Sequence, residues 1–135
     1  MVGVVLVGHS RDVVRGLIAM IQQAAPGVPV AGAGGLGRAR LGTNGLEVAD
    51  AIRQVLGAAG ADGALVLLDL GSAAMALDLA LDELGEDTRA RVQVTEAAFV
   101  EGAVLAAVTA AGGASLDEVA SAAERALELP KRPRG

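Results

Sequence analysis

The single histidine of this 135-residue chain, His9, directly follows an apolar run that ends in Gly8. An imidazole is well suited to act as a nucleophile or a proton acceptor near neutral pH. An apolar run followed at once by a candidate helix cap, here Ser10, is typical of a buried strand in a parallel sheet. His9 is therefore expected at the carboxyl end of a strand and beside a helix N-terminus, where open α/β folds bind their ligands.

A carboxylate follows the third apolar run of the chain in the same way. Residues 63–68 are apolar, Asp69 ends the run, and Gly71 and Ser72 come next. In a sheet of order 2-1-3-4, the loops after the first and third strands diverge and leave a crevice at the carboxyl edge. Asp69 is therefore expected to accept a hydrogen bond from one nitrogen of His9. The other nitrogen is then left unprotonated and free to attack.

Hydroxyl groups and backbone amides are expected around the same crevice. The glycine-rich stretch 32–45 follows the second strand, and helix starts follow the first and third. Such groups bind the oxygens of an anion; the residues predicted to do so are Ser10, Gly35, Thr43, Gly71 and Ser72. The predicted site thus has one nucleophile, one orienting carboxylate and an anion cradle, and it has no set of metal ligands. This combination favours a phosphoryl group carried on His9, with Asp69 orienting the ring.

Each of these residues also has a purely structural interpretation. Histidine and aspartate at strand ends are commonly solvated loop or turn residues, and Thr43 and Ser72 are suited to capping helices. The glycine-rich stretch lacks the GxxxxGK[ST] pattern of a phosphate-binding loop. Its two arginines, Arg38 and Arg40, are either solvated charges or contacts for an acidic partner. The functional hypothesis therefore depends on several residues meeting in one place.

Strands that alternate with amphipathic helices must position these residues. Strands are predicted at 2–8, 28–33, 63–69 and 92–94, and helices at 10–25, 44–56, 73–84, 99–111 and 115–129. Pro29 marks the second strand as an edge strand, because proline cannot donate to a ladder. This alternation predicts a three-layer α/β/α fold with an open, mainly parallel sheet of about four strands in the order 2-1-3-4.

Local patterns predict the ends and buried faces of the helices. Asn44 with Glu47, and Ser115 with Glu118, fit the spacing of a capping box. In the second helix, the apolar face is expected to comprise four residues at helical spacing, namely Leu46, Ala49, Ile52 and Leu56. The single aromatic residue, Phe99, is expected in the core.

Composition excludes several classes of protein. The chain is 53% hydrophobic with a mean hydropathy of +0.51, yet no apolar run approaches the ~20 residues of a membrane helix. A net charge of −5 and the absence of Trp and Tyr disfavour binding to nucleic acid or to an anionic membrane. Without cysteine and with one histidine, a disulfide framework and a His-rich zinc site are excluded. A cytoplasmic protein without a signal peptide or a metal is expected.

Four short segments together resemble a known family. They are Val7-Gly8-His9-Ser10, Gly34-Gly35 with Leu41-Gly42-Thr43, Asp69-Leu70-Gly71-Ser72-Ala73, and Val100-Glu101-Gly102-Ala103. In this order and spacing the chain is similar to DhaM, the phosphotransfer subunits of phosphoenolpyruvate-dependent dihydroxyacetone kinases. Their first domain belongs to the mannose-type enzyme IIA superfamily of the phosphotransferase system (PTS). The resemblance implies such a domain over residues 1–129, and a basic tail, 130–135, is predicted to be disordered.

The resemblance also implies a function and partners. Subunits of this family accept a phosphoryl group from the phosphocarrier protein HPr on a histidine that matches His9, which pairs with a carboxylate that matches Asp69. They pass it to ADP held with Mg²⁺ on the DhaL subunit, and the ATP formed there phosphorylates dihydroxyacetone bound to DhaK. No cofactor is then expected in this chain itself, and a homodimer is expected.

Two other functions stay open at this point. One is the IIA component of a mannose-type PTS sugar transporter, which would hand the phosphoryl group to a IIB protein. The other is a non-catalytic regulatory module that binds an anion or a nucleotide in the crevice. For a carrier, the rim around His9 is expected to be flat and partly apolar, with Leu36, Leu41, Ala73 and Ala74 supplying that surface.

Overall fold

Four strands and six helices follow one another in the computed structural model, which describes residues 1–37, 39–59 and 62–132. The strands are β1 Gly3–Val7, β2 Val30–Ala33, β3 Ala64–Leu68 and β4 Val92–Thr95. The helices are α1 Arg11–Ala24, α2 Gly45–Ala59, α3 Ala74–Leu84, α4 Glu86–Arg89, α5 Phe99–Ala111 and α6 Leu116–Glu124. Short 3₁₀ turns lie at Gly71–Ala73 and Arg125–Glu128.

The four strands form one parallel sheet in the order β2-β1-β3-β4. Val5 of β1 lies between Ala31 of β2 and Val66 of β3. The predicted fold class and strand order are therefore confirmed, as is the edge position of the strand that follows Pro29. The connection from β2 crosses β1 to reach β3, which creates the predicted point of divergence between β1 and β3 at the carboxyl edge of the sheet.

Helices cover both faces of the sheet. Alternate residues of β1 point to opposite sides, so that Leu6 packs in one apolar cluster with α1, α5 and α6, while Val5 packs in a second with α2 and α3. The two central strands, β1 and β3, are almost completely buried, which explains why they read as continuous apolar runs rather than as alternating ones. Phe99 packs against the first cluster as predicted.

Capping groups begin the helices where the sequence indicated. The Oγ of Ser10 accepts a hydrogen bond from the N–H of Val13 at 3.3 Å. At α6 both bonds of the capping box are present, between Ser115 and Glu118, and the bond from the Ser115 N–H lowers the pKa of the Glu118 carboxyl. At α2, Asn44 Oδ1 accepts from the N–H groups of Leu46 and Glu47, but the Glu47 carboxylate turns to Arg11 instead of closing the box.

Several element boundaries differ from the predicted ones. Helix α2 continues past Gly57 to Ala59, because a single glycine costs a helix only about 1 kcal/mol. Its buried face is formed by Val48, Ala49, Ile52, Val55 and Leu56, whereas Leu46, in the first turn, is 68% exposed. The four-residue helix α4 was not predicted, and the last helix tightens into a 3₁₀ turn after Glu124.

Part of the C-terminal tail contacts helix α5. In the tail predicted to be disordered, Lys131 Nζ lies 2.8 Å from Glu101 Oε1 on α5, and this pairing raises the pKa of the lysine. Residues 133–135 of the tail lie outside the described residues, as do Arg38 and Gly60. Within the described part of the chain, no helix has the length and apolar character needed to cross a membrane.

Candidate functional site

Neighbouring strands bring His9 and Asp69 together. Val7 of β1 is in register with Leu68 of β3, so that the residues after them leave the sheet side by side. The N–H of Asp69 donates to the carbonyl oxygen of Val7 at 3.1 Å, and the N–H of Gly8 donates to that of Ala33 at 2.9 Å. These bonds extend the ladder past the strand ends and hold both residues on a rigid frame.

The Asp69 carboxylate accepts three hydrogen bonds. Its Oδ2 lies 2.9 Å from the backbone nitrogen of His9, and its Oδ1 lies 2.9 Å from His9 Nδ1 and 2.7 Å from the backbone nitrogen of Leu70. A carboxylate that accepts from Nδ1 selects the tautomer in which this nitrogen carries the proton. His9 Nε2 is therefore the nitrogen with a free lone pair.

A hydroxyl group occupies the other side of the ring. Ser72 Oγ lies 2.9 Å from His9 Nε2, and with the proton on Nδ1 the serine is the donor of this bond. Ser72 lies on the exposed 3₁₀ turn before α3, and 22% of the His9 side chain is exposed. An incoming group reaches Nε2 once the serine hydroxyl rotates away from it.

The glycine-rich loop is attached to the backbone of the histidine. The N–H of Gly42 donates to the carbonyl oxygen of His9 at 2.9 Å, and the N–H of Gly35 donates to that of Gly42, also at 2.9 Å. Gly35 has a φ of +81°, in the left-handed region that favours glycine. A Cβ on Gly34 would lie 3.1 Å from the carbonyl oxygens of both Gly8 and Ser10. The loop thus needs glycine to lie this close to the strand end.

The other residues predicted to bind an anion lie around this core in different ways. The hydroxyl of Ser10 is engaged with the first turn of α1, and the N–H of Gly35 is used within its loop. Thr43 is half-buried next to Gly42, and within the described residues its side chain makes no hydrogen bond. Gly71 is exposed and opens the 3₁₀ turn that carries Ser72.

Sequence reasoning missed the part played by Arg11. Its Nε donates to the carbonyl oxygen of Gly34 at 3.3 Å, and its Nη2 lies 3.5 Å from Glu47 Oε1. Arg11 thus ties the start of α1 to the glycine loop and to α2. The signal available in the sequence was its place, two residues after His9.

The rim of the site is partly apolar, but one of the residues expected on it, Ala73, is not part of it. Leu36 and Leu41 are 45% and 68% exposed, as expected for a contact surface, but Ala73 is completely buried and contributes none of it. The 3₁₀ turn rotates Ala73 into the core and leaves its neighbours Leu70 and Met75 exposed at 60% and 77%. Across residues 1–37, 39–59 and 62–132, no three His, Cys, Asp or Glu side chains lie close enough together to hold a metal ion.

Comparisons with known proteins agree with one another. The sequence model described as "PTS system fructose IIA component" (EIIA-man) matches residues 3–120. A phosphoryl donor subunit DhaM of the PEP-dependent dihydroxyacetone kinase of Klebsiella michiganensis is 36% identical over 98% of this chain. The DhaM phosphotransferase subunit of Lactococcus lactis is 31% identical over 93% of this chain and 95% of its own length. The crystal structure of EF1359, a protein described as of unknown function, superposes with a TM-score of 0.79 at 30% identity, covering 92% of this chain and 93% of that one.

The relatives differ in length. The chain spans 30% of the Klebsiella subunit but nearly all of the Lactococcus one. Since the match to the family model covers most of the chain and the identity to a full-length relative exceeds 30%, the chain belongs to the EIIA-man family of PTS IIA components and, within it, to the DhaM group.

Proposed function

We propose that this protein is a phosphohistidine carrier in which His9 Nε2 is the phosphorylated atom. The observation that carries the proposal is the hydrogen bond between Nδ1 of His9 and Oδ1 of Asp69 at 2.9 Å. It orients the ring and directs the unprotonated nitrogen out of the protein, beside the Ser72 hydroxyl. A nucleophile whose tautomer is set by a third group is the usual arrangement for covalent catalysis by an imidazole.

The transfer needs no net proton movement at His9. As a phosphoryl group arrives from phosphorylated HPr, its bond to the donor nitrogen breaks and a new bond forms to His9 Nε2, while Nδ1 keeps its proton. Asp69 balances the positive charge that this places on the ring. In this proposal Ser72 Oγ, once released from Nε2, donates to a phosphoryl oxygen. The Thr43 hydroxyl, the Gly71 N–H and the amides near Ser10 are the further donors that we assign to the phosphoryl group, and Gly35 shapes the adjoining loop.

The second transfer regenerates the free histidine. The bond between Nε2 and phosphorus breaks, and a bond forms to the terminal phosphate oxygen of ADP, which yields ATP. In this proposal the nucleotide and its Mg²⁺ are held by DhaL, and the ATP phosphorylates dihydroxyacetone on DhaK. The names of the relatives, which are donor subunits of dihydroxyacetone kinases, favour this pathway. The chain itself needs no cofactor, and its assembly as a homodimer is part of the proposal.

Phosphorylation by enzyme I, HPr and labelled phosphoenolpyruvate tests the chemistry. We expect one acid-labile, alkali-stable label per chain, and because His9 is the single histidine, any phosphohistidine must be at this residue. Nitrogen NMR of the labelled imidazole is expected to show phosphorus on Nε2. Undiminished labelling of His9→Gln would contradict the assignment, and phosphorus on Nδ1 would contradict the role of Asp69.

A second candidate keeps the chemistry and changes the acceptor. The description of the matching family model names a sugar-transport component of the PTS. This name favours transfer of the phosphoryl group to a IIB protein of a mannose-type transporter. Release of the label by DhaL with ADP, but not by a IIB protein, supports the kinase pathway, and the reverse result supports the transporter. Nucleotide binding by the isolated chain without any covalent label would instead identify a regulatory module.

A further inference from the structure

Helix α5 carries apolar side chains on the flank that it turns towards α1, in addition to the alanines that pack on the sheet. Its opposite flank faces α6, since a Cβ on Gly102 would lie 3.3 Å from the carbonyl oxygen of Ala123. The flank towards α1 carries a stripe of valines at four-residue spacing, namely Val100, Val104 and Val108. The first and last of these are 45% and 48% exposed.

The facing flank of α1 is apolar too. Ile18 lies on the flank of α1 towards the edge strand, where it lines a pocket together with Val30 of β2. With 3.6 residues per turn, Val13 and Met20 then lie on the other flank, towards α5, and both are 51% exposed. The two flanks together form what we call the α1–α5 surface, which consists of Val13, Met20, Val100, Val104 and Val108.

The polar residues of α5 do not bring free charge to this surface. Helix α5 contains two of them, Glu101 and Thr109. Glu101 Oε1 lies 2.8 Å from Lys131 Nζ, and Thr109 Oγ1 donates to the carbonyl oxygen of Leu105 at 2.7 Å. A helix that is apolar on several sides is normally buried, and monomeric proteins rarely leave a contiguous apolar face to water. The α1–α5 surface is therefore expected to be covered.

The helical layer that contains this surface is large enough for a dimer contact. Helices α1 and α5 have 14 and 13 residues, so each is about 20 Å long, and α6 with its 3₁₀ turn continues the layer beside α5. Three helices that pack about 8–10 Å apart present a face on the order of 600 Å² in projection. A specific interface buries about 600–1,000 Å² on each partner, which such a face supplies.

We propose that the α1–α5 surface is the contact between two copies of this chain. An apolar surface fits a copy of itself because it needs no opposite charge on the partner, and a twofold dimer joins the same surface of both copies. Homodimer interfaces are also more apolar than those of proteins that meet only briefly. The inference rests on the proposed function, which includes a homodimer, and it adds the surface through which the two copies bind.

A dimer of this kind leaves the proposed phosphorylation site open. The Ser72 hydroxyl next to His9 Nε2 belongs to the turn that leads into α3, and α3 packs on the opposite face of the sheet from α1 and α5. A phosphoryl donor or acceptor that approaches Nε2 over this turn does not compete with the second copy. The α1–α5 surface can thus stay covered throughout the reaction, as a permanent contact requires.

The Met20→Glu, Val108→Glu variant tests the inference by sedimentation equilibrium. The wild-type protein is expected to have the mass of two copies at micromolar concentration. In the variant the dissociation constant of the dimer is expected to rise by about 100-fold or more, because like charges then face each other in a contact without water. The variant is expected to accept the phosphoryl label like the wild-type protein, since neither residue touches the ring of His9.

The matched control is Leu79→Glu. Leu79 is 65% exposed on α3, in the helical layer on the other face of the sheet. The same apolar-to-acidic change there is expected to leave the dissociation constant at its wild-type value.

Cross-linking through single cysteines provides a second test that needs no charged substitution. The chain contains no cysteine, so an introduced thiol is the only one in each copy. In the series Val100→Cys, Val104→Cys and Val108→Cys, at least one variant is expected to form a cross-link between copies with a short bismaleimide. Leu79→Cys is expected to form none. This test replaces the first if the double variant does not fold.

Several results overturn the interface while leaving the phosphohistidine chemistry intact. A monomeric wild-type protein would leave the α1–α5 surface to a different protein. A double variant that dimerises like the wild type, or a Leu79→Glu control that dissociates equally, would place the contact elsewhere, and so would cross-links from Leu79→Cys alone. Loss of labelling together with dissociation would show that the contact is not separate from the site. A dimeric wild-type protein that takes no label contradicts the proposed function and not the interface.

Discussion

The Asp69 carboxylate has a structural and a chemical task at once. It accepts the backbone N–H groups of His9 and Leu70 in addition to the ring N–H of His9. The bond from the His9 N–H joins the ends of β1 and β3, the bond from the Leu70 N–H fixes the carboxylate within its own loop, and the third bond orients the imidazole. Because all three donors converge on two oxygens, no other residue type reproduces this arrangement.

Replacement of Asp69 by Asn is expected to impair both tasks. An amide has one acceptor oxygen, so its NH₂ group must face at least one of the three donors. We expect phosphorylation of His9 to slow by about 100-fold or more, and the free energy of unfolding to fall by about 1–3 kcal/mol. Labelling kinetics and urea denaturation measure the two effects.

The control for this substitution is Asp82→Asn. Asp82 is 77% exposed, and its carboxylate lies 3.7 Å from Arg89 Nη1 in a surface ion pair, which contributes little to stability. Both quantities are expected to stay at their wild-type values in this variant. A slow Asp69→Asn protein with unchanged stability would separate the two tasks and refute their coupling.

Only part of the site was predictable from residue types. The sequence placed His9 and Asp69 at the ends of neighbouring strands, because apolar runs and strand order are strong signals. The contact of Ser72 with Nε2 and the bonds of Arg11 were not predictable, since they depend on a 3₁₀ turn and on side-chain rotamers that no sequence pattern specifies.

Among the elements, the close packing of α1 depends on glycines opposite Val14. A Cβ on Gly32 would lie 2.4 Å from Val14 Cγ1, and one on Gly34 would lie 3.0 Å from Val14 Cγ2. These glycines allow the helix to lie directly over β2 and over the start of the glycine loop. The position of Ser10 and Arg11 at the site follows from this close approach.

Gly34→Ala and Gly16→Ala form a matched pair that tests this packing. At Gly34 the added methyl group also meets two backbone oxygens, so we expect a loss of about 1–3 kcal/mol in the free energy of unfolding. At Gly16, in the exposed interior of α1, nothing lies within 4 Å of the added group. There we expect a gain of about 0.5–1 kcal/mol. Equal effects in thermal or urea unfolding would contradict the packing argument.

The predicted elements were most accurate where a local signal was strong. The capping box of Ser115 and the bounds of α5 agree with the structure. The wrong assignment of Leu46 has a physical reason: Val48, Ile52 and Val55 define the buried face of α2, and Leu46, two residues before Val48, lies away from that face and is 68% exposed. Helix α4 has four residues, too few for an apolar periodicity to be visible.

At the scale of the whole molecule, one sheet forms both cores. Strands β1 and β3 contribute alternate residues to the two apolar clusters, so neither helical layer has a core without the sheet. The overall architecture was predictable for this reason: continuous apolar strands alternating with amphipathic helices have few arrangements that bury both faces.

Leu6→Ala is expected to destabilise both layers together. Leu6 is completely buried in the central strand, and its truncation should cost about 2–5 kcal/mol in the free energy of unfolding. Hydrogen exchange is expected to accelerate in α2 and α5 alike, although the side chain contacts only one cluster. Leu127→Ala, at a residue 75% exposed, serves as the control. Acceleration confined to α5 would show that the layers unfold independently.

The way in which the ring of His9 is held has a kinetic consequence for a carrier. Asp69 occupies Nδ1, and 22% of the His9 side chain is exposed, so Nε2 is the one ring nitrogen left to both partners of the proposed carrier. Donor and acceptor must therefore occupy the same position in turn and cannot form a ternary complex. Turnover then follows ping-pong kinetics, and partners that dissociate quickly serve the protein better than partners that bind tightly.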